Sequence, residues 1–122
     1  TQDRGDLMEN SKSENEIYRR IEELLYKIYP TLINYTNNEK FGLVTKIKDT
    51  FYELLKSVAL SNKVSSKKSY HLQEADGYLQ VLKVLYKLSD RNKEISHNFW
   101  REVDAQLTEI EMLITKEIRR KK

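Results

Sequence analysis

The groups in this chain that could do chemistry are few. His71 and Glu74 stand at i and i+3, a spacing that turns both side chains to one side of a helix and can serve a metal ion. A di-metal bundle needs such a pair on two helices, plus further carboxylates. No second pair exists in the sequence. His97 has Glu94 and Arg101 nearby in sequence and no recognisable apolar pocket around it. We read both histidines as surface residues. The chain has no Cys, which removes disulfides, thiolate metal sites and Cys nucleophiles. It has neither a Gly-rich phosphate loop nor a Ser/His/Asp arrangement. Gly42 and Gly77 stand singly within helical patterns, where glycine permits close packing or costs a little stability. The expectation is a protein that is not an enzyme and holds no cofactor or metal.

Cations remain. Lys and Arg number 22 against 19 Asp and Glu, a net charge of +3. The first 16 residues carry Asp3, Asp6, Glu9, Glu14 and Glu16 against Arg4 and Lys12, so the rest is more basic than the total suggests. The basic residues fall in three groups: Arg19 and Arg20; Lys63, Lys67 and Lys68 in the turn "SNKVSSKKS"; and Arg119, Arg120, Lys121 and Lys122. Such residues suit phosphates, giving affinity and salt dependence but no reading of base sequence. The plainer alternative is that they complement helix dipoles and keep the protein soluble.

The elements that position these groups are helices. Charged residues make up 34% and hydrophobic ones 39%, with three Gly and one Pro, the composition of long helices rather than of a turn-rich β protein. Four segments follow from a period of about 100° per residue. The first runs from Glu14 to Tyr35, with Ile17, Ile21, Leu24, Ile28, Leu32 and Tyr35 on one face and Pro30 expected to kink or split it. The second runs from Glu39 to Leu60 behind an N-cap at Asn38, with Val44, Ile47, Phe51, Leu54, Leu55 and Val58 inward. The third runs from Ser69 to Ser89. The fourth starts at a Ser96 cap, with Phe99, Val103, Leu107, Ile110, Leu113, Ile114 and Ile118 inward. Residues 1–13 read as a disordered or tag-like segment, with Met8 as the natural start, and residues 14–122 as one bundle domain. No apolar run reaches the roughly 18 residues of a membrane span, and the N-terminus has no apolar signal core; a cytoplasmic protein fits both.

Four amphipathic helices with short connections fold most simply as an antiparallel up-down-up-down bundle, an all-α fold. That topology gathers all three basic groups at one end, while Glu39, Lys40, Asp90, Arg91, Lys93 and Glu94 nearly cancel at the other.

The third segment carries more apolar surface than one core uses. Its apolar residues sweep roughly 240°, where a bundle helix needs only a little over about 100°. Gly77, Val81, Val84 and Leu88 form the surplus flank; on the first segment Tyr18, Leu25 and Tyr29 do the same. The two helices are diagonal in such a bundle, so the flanks face different ways. Apolar patches on opposite sides favour a head-to-tail homo-oligomer that closes into a ring.

The stretches "IYPTLINYTNNEKFGLVTKI" and "ADGYLQVLKVLYKL" resemble the accessory variability determinant (Avd) proteins of diversity-generating retroelements, relatives of the four-helix proteins encoded in intervening sequences of bacterial 23S ribosomal RNA genes. "EKFGL" is similar to both groups; the "Tyr-Pro" and "Ala-Asp-Gly" are closer to Avd. The resemblance covers residues 17 to 118. It implies a four-helix bundle that forms a basic pentamer, binds the element's reverse transcriptase and template RNA, and supports error-prone cDNA synthesis. Two readings stand beside it: a protein of the ribosomal intervening-sequence type, and a structural protein-interaction module without nucleic-acid binding.

Overall fold

A computed structural model describes the backbone of residues 2–120 and the side chains of residues 15–120. Its elements are α1 (Gln2–Ile28), a 3-10 turn (Tyr29–Asn34), the single-turn α2 (Asn37–Lys40), α3 (Leu43–Lys63), a 3-10 turn (Ser65–Lys67), α4 (Lys68–Arg91) and α5 (His97–Arg120). No strand occurs among the described residues. The four long helices make an all-α four-helix bundle. Sequence-adjacent long helices pack side by side, and α1 closes the ring of four against α5. Helices α1 and α4 are diagonal.

Local chemistry explains where the helices stop. The α-helical part of α1 ends at Ile28 and Pro30 sits in the first turn of the 3-10 segment, since proline supplies no N–H for the α-helical bond and clashes with the preceding turn. Leu32 and Tyr35 nevertheless stay in the core. The helix begins at Gln2, ahead of the Glu14 that periodicity suggests. The second expected helix divides at Phe41–Gly42. Glu39 folds back there, and its Oε1 accepts the Leu43 N–H at 3.4 Å, satisfying an orphan donor at the start of α3. A Cβ on Gly42 would lie 2.8 Å from that oxygen. Glycine at 42 therefore makes room for a cap rather than sitting inside a helix. Asn38 is not the cap; Thr36 holds that place without a side-chain bond of its own to α2. Its N–H and Oγ1 donate instead to Glu94 at 2.8 and 2.9 Å, tying α2 to the α4–α5 connection.

That connection is also specific. The Glu94 N–H bonds the Ser89 carbonyl and the Lys93 N–H bonds that of Asp90, the paired pattern of a Schellman cap. Lys93 takes the left-handed position at φ 62°. Ser96 starts α5 as expected: its Oγ accepts the Phe99 N–H at 3.1 Å.

The core is one cluster from all four long helices. Ile21, Ile28, Ile47, Phe51, Leu54, Leu79, Leu82, Val103, Leu107 and Ile114 are fully buried. Leu55, Phe99, Leu113 and Ile118 pack against it only partly buried. α3 also buries the short side chains Thr50, Ser57 and Ser61, and the hydroxyls of Thr50 and Ser61 return to their own helix. Short side chains let a neighbour come close, and α3 against α4 is the most extensive pairing. Two tyrosines mark the end away from the basic groups. Tyr35 donates to Ser89 Oγ at 2.8 Å within the core. Tyr86 is 1% exposed, and its hydroxyl has no hydrogen-bond partner. Burial, then the neighbouring Tyr35, push its pKa up, so the group stays neutral.

An unpaired buried hydroxyl costs roughly 1–3 kcal/mol. Replacing Tyr86 with Phe removes that cost and leaves the ring in place. The variant should melt a few degrees higher than the parent, about 2–8 °C per kcal/mol gained for domains of this size range; an unchanged or lower melting temperature would show that the hydroxyl is satisfied in solution.

Candidate nucleic-acid interface

The start of α4, the end of α5 and the first described side chains of α1 meet at one end of the bundle. Lys68 Nζ lies 3.3 Å from Glu117 Oε2, joining α4 to α5. Glu16, Ile17, Leu113, Lys116, Glu117 and Arg120 surround a cavity of about 60 Å³, which brings α1 to the same place. The described members of the sequence-predicted set therefore share one end, but they are not equivalent there.

Lys68 is not available to a phosphate. Its side chain is 4% exposed and that of Glu117 is 3% exposed. The amphipathic period puts position 68 one turn above the buried Leu72, so the lysine enters the bundle end rather than solvent. Glu117 also accepts from Arg120 at 3.3 Å. Arg19 pairs with Glu23 at 3.1 Å, and Arg20 with Glu109 at 2.9 Å and Glu16 at 3.5 Å. These carboxylates compete with any external anion. Lys63, Lys67 and Arg119 are exposed and make no ion pair with another described residue. Lys121 and Lys122 lie outside the described residues. One cation escaped the sequence reading: Lys116 is exposed on the same end of α5 and equally unpaired. Its i, i+3 relation to Arg119 was the available signal. The exposed cations of this end with no ion-pair partner among the described residues are thus Lys63, Lys67, Lys116 and Arg119.

The histidines are structural ties. His71 Nδ1 lies 2.8 Å from Glu74 Oε1 with the His side chain only 13% exposed, so it is not a surface residue. His97 Nδ1 lies 3.1 Å from Asp90 Oδ2, linking α5 to the end of α4. No group of three potential metal ligands forms among the described residues, and no described helix is long and apolar enough to cross a membrane.

The expected oligomer residues separate into two sets. On α4, Gly77, Val81, Val84 and Leu88 are exposed, Val84 at 64%. Their 4-3-4 spacing makes a single stripe opposite the buried Leu72, Ala75, Leu79, Leu82 and Tyr86, the spacing by which one helix meets another. A Cβ at Gly77 would touch nothing within 4 Å. Nothing inside the protomer therefore calls for glycine at a mid-helix position where it costs up to about 1 kcal/mol. On α1, Tyr29 is 46% exposed, but Leu25 is 8% exposed and belongs to the core; Tyr18 packs against the core, partly buried. Leu25 lies next in period to Ile21 and Ile28, on a stripe wide enough to serve the bundle itself. The Tyr29 end continues into Ile33, 73% exposed, and Phe41, 92% exposed. Lys48 Nζ sits 5.0 Å from the Tyr29 ring centroid, a cation–π contact.

The fold is a four-helix bundle with exposed cations at one end and an apolar outward stripe on α4. The family model described as bAvd-like matches residues 16–120, and the chain belongs to that family. It is an Avd-type protein. No curated protein and no solved structure matches it.

The buried ion pair gives a direct test. Removing one partner of a buried pair leaves an uncompensated charge and costs about 3–5 kcal/mol, whereas an apolar replacement of both is often neutral or stabilising. Glu117→Ala should lose stability on that scale in urea unfolding, and Lys68→Met with Glu117→Leu should recover most of it. A double variant as unstable as the single one would show that the pair is needed for more than mutual neutralisation.

Proposed function

We propose that this protein is a non-enzymatic accessory subunit that binds the reverse transcriptase and template RNA of a diversity-generating retroelement and supports mutagenic cDNA synthesis. Membership of the bAvd-like family supports the retroelement link. The observation that carries the nucleic-acid part is the set of exposed cations with no ion-pair partner among the described residues, Lys63, Lys67, Lys116 and Arg119, at one end of the bundle. They supply a positive surface with no donor–acceptor pattern for bases, which suits the RNA backbone rather than a sequence. Arg19, Arg20, Lys68 and Arg120 act behind that surface by holding carboxylates.

The α4 stripe supports the assembly part. Outward valines, a leucine and a glycine with open space around it fit a helix of a second copy. The exposed Tyr29, Ile33 and Phe41 lie on a different side of the bundle, which favours a head-to-tail ring. Five subunits is the number that the family resemblance implies. In a ring the basic ends add up, and several weak ends on one strand bind more tightly than one. The reverse transcriptase then docks on protein surface away from the basic end, in the cytoplasm.

Two experiments test these parts separately. Lys63→Gln with Lys67→Gln should weaken binding of a single-stranded RNA about equally for unrelated sequences. It should also flatten the log–log salt slope by roughly 0.7 for each phosphate that is no longer neutralised. Unchanged affinity and slope would leave a protein-interaction module without nucleic-acid binding. Val81→Glu with Val84→Glu should reduce the light-scattering mass from a multiple of 14.6 kDa to that value, with helical circular dichroism retained. A variant that keeps its assembled mass would show that the stripe is not where subunits meet.

A further inference from the structure

One cavity takes in the C-terminal basic group identified from sequence and extends beyond it along α5. It is an open groove of about 570 Å³, lined among the described residues by Glu111, Met112, Thr115, Lys116, Arg119 and Arg120. Its volume falls in the range of ligand sites, about 300–1,000 Å³. Three features give it a definite character. First, the one acidic member among the described residues is already occupied: Glu111 accepts from Lys83 at 2.8 Å and from Gln80 at 2.7 Å. The Lys83 hydrogen bond is the main reason its carboxyl lies below the usual carboxylate range, so it stays charged and committed to α4. Second, Lys116 and Arg119 are exposed cations with no ion-pair partner among the described residues. Third, Met112 is 67% exposed between them and the rest of the outward face. A methionine there offers a soft, polarisable apolar surface.

We infer that this groove is a binding track for single-stranded nucleic acid, with Lys116 and Arg119 holding phosphates and the Met112 thioether lying against a base. The inference rests on the nucleic-acid reading above and extends it from the bundle end along the outside of α5. Charge complementarity is the reason for choosing a polyanion. The groove adjoins the bundle end through Arg119 and Arg120, so one strand can run from Lys63 and Lys67 onto α5. An acidic peptide would satisfy the cations but would have no planar apolar group for Met112. Duplex RNA hides its base faces in the stack and cannot meet Met112 in that way either. A strand with free bases uses all three residues, which is the usual combination of a cationic groove with a stacking or apolar surface in single-strand binding.

The test is fluorescence anisotropy of the full chain with a labelled single-stranded oligouridine, a duplex RNA of equal length, and a labelled oligoglutamate peptide. Lys116→Gln with Arg119→Gln should weaken oligouridine binding at least several-fold and flatten the salt slope by roughly 1.4 in total. Met112→Ala should weaken oligouridine binding but leave the salt slope and the duplex affinity unchanged. All altered side chains are on the surface, and unchanged thermal melts will confirm that the variants fold. The inference is overturned if Lys116→Gln with Arg119→Gln binds as the parent does; if Lys63→Gln with Lys67→Gln still weakens binding in that case, the basic end stands and only the groove fails. It is equally overturned if Met112→Ala has no effect, or if oligoglutamate binds as tightly as oligouridine. A parent protein that binds no RNA would overturn both.

Discussion

A charge inside a bundle has to be matched, and the matching of Lys68 organises the basic end of this protein. The lysine opens α4, where a positive charge opposes the helix dipole, and it is buried. Glu117, almost a full helix away on α5, meets it at 3.3 Å and draws Arg120 in at the same time. The ion pair fixes the end of α5 beside the turn between α3 and α4. That placement brings Lys116 and Arg119 to the same end of the bundle as Lys63 and Lys67. The buried ions fix where the exposed ones sit. The far end has no buried ion pair among the described residues; Tyr35 to Ser89, Thr36 to Glu94 and His97 to Asp90 hold it instead. The two ends thus differ in kind as well as in charge.

The fold was largely legible in the sequence because helical periodicity reports burial directly. Ile17, Ile21, Leu24, Ile28, Val44, Ile47, Phe51, Leu54, Leu79, Leu82, Val103 and Leu107 all lie in the core, on the faces that a period of about 100° per residue marks out. The Ser96 cap was legible for the same reason: its bond is local. What periodicity missed was nonlocal or depended on one side chain turning back. The break at Gly42 comes from Glu39 capping α3. Thr36 answers to Glu94, which is 58 positions away, and no local pattern encodes that.

The candidate site was legible only as a location. Topology placed the cations at one end, but the positions of Lys and Arg along a chain do not say which of them already has a carboxylate. Lys68 looked like a turn lysine and is an interior ion. Arg19 and Arg20 looked free and face Glu23 and Glu109. Lys116 was overlooked because it stands within the last helix rather than in a basic run. The apolar surplus behaved in a similar way: the α4 stripe is as open as its spacing suggested, whereas Leu25 is needed by the bundle.

The exposed cations of one bundle end are proposed to bind nucleic acid through its phosphates, and the rest of the functional account depends on that. The salt dependence of single-stranded RNA binding by the unaltered protein measures this most directly, because each neutralised phosphate contributes about 0.7 to the log–log slope. With Lys63, Lys67, Lys116 and Arg119 engaged on even one subunit, affinity should fall with a slope of about −3 or steeper. A slope near zero, or no measurable binding at low salt, would contradict the account.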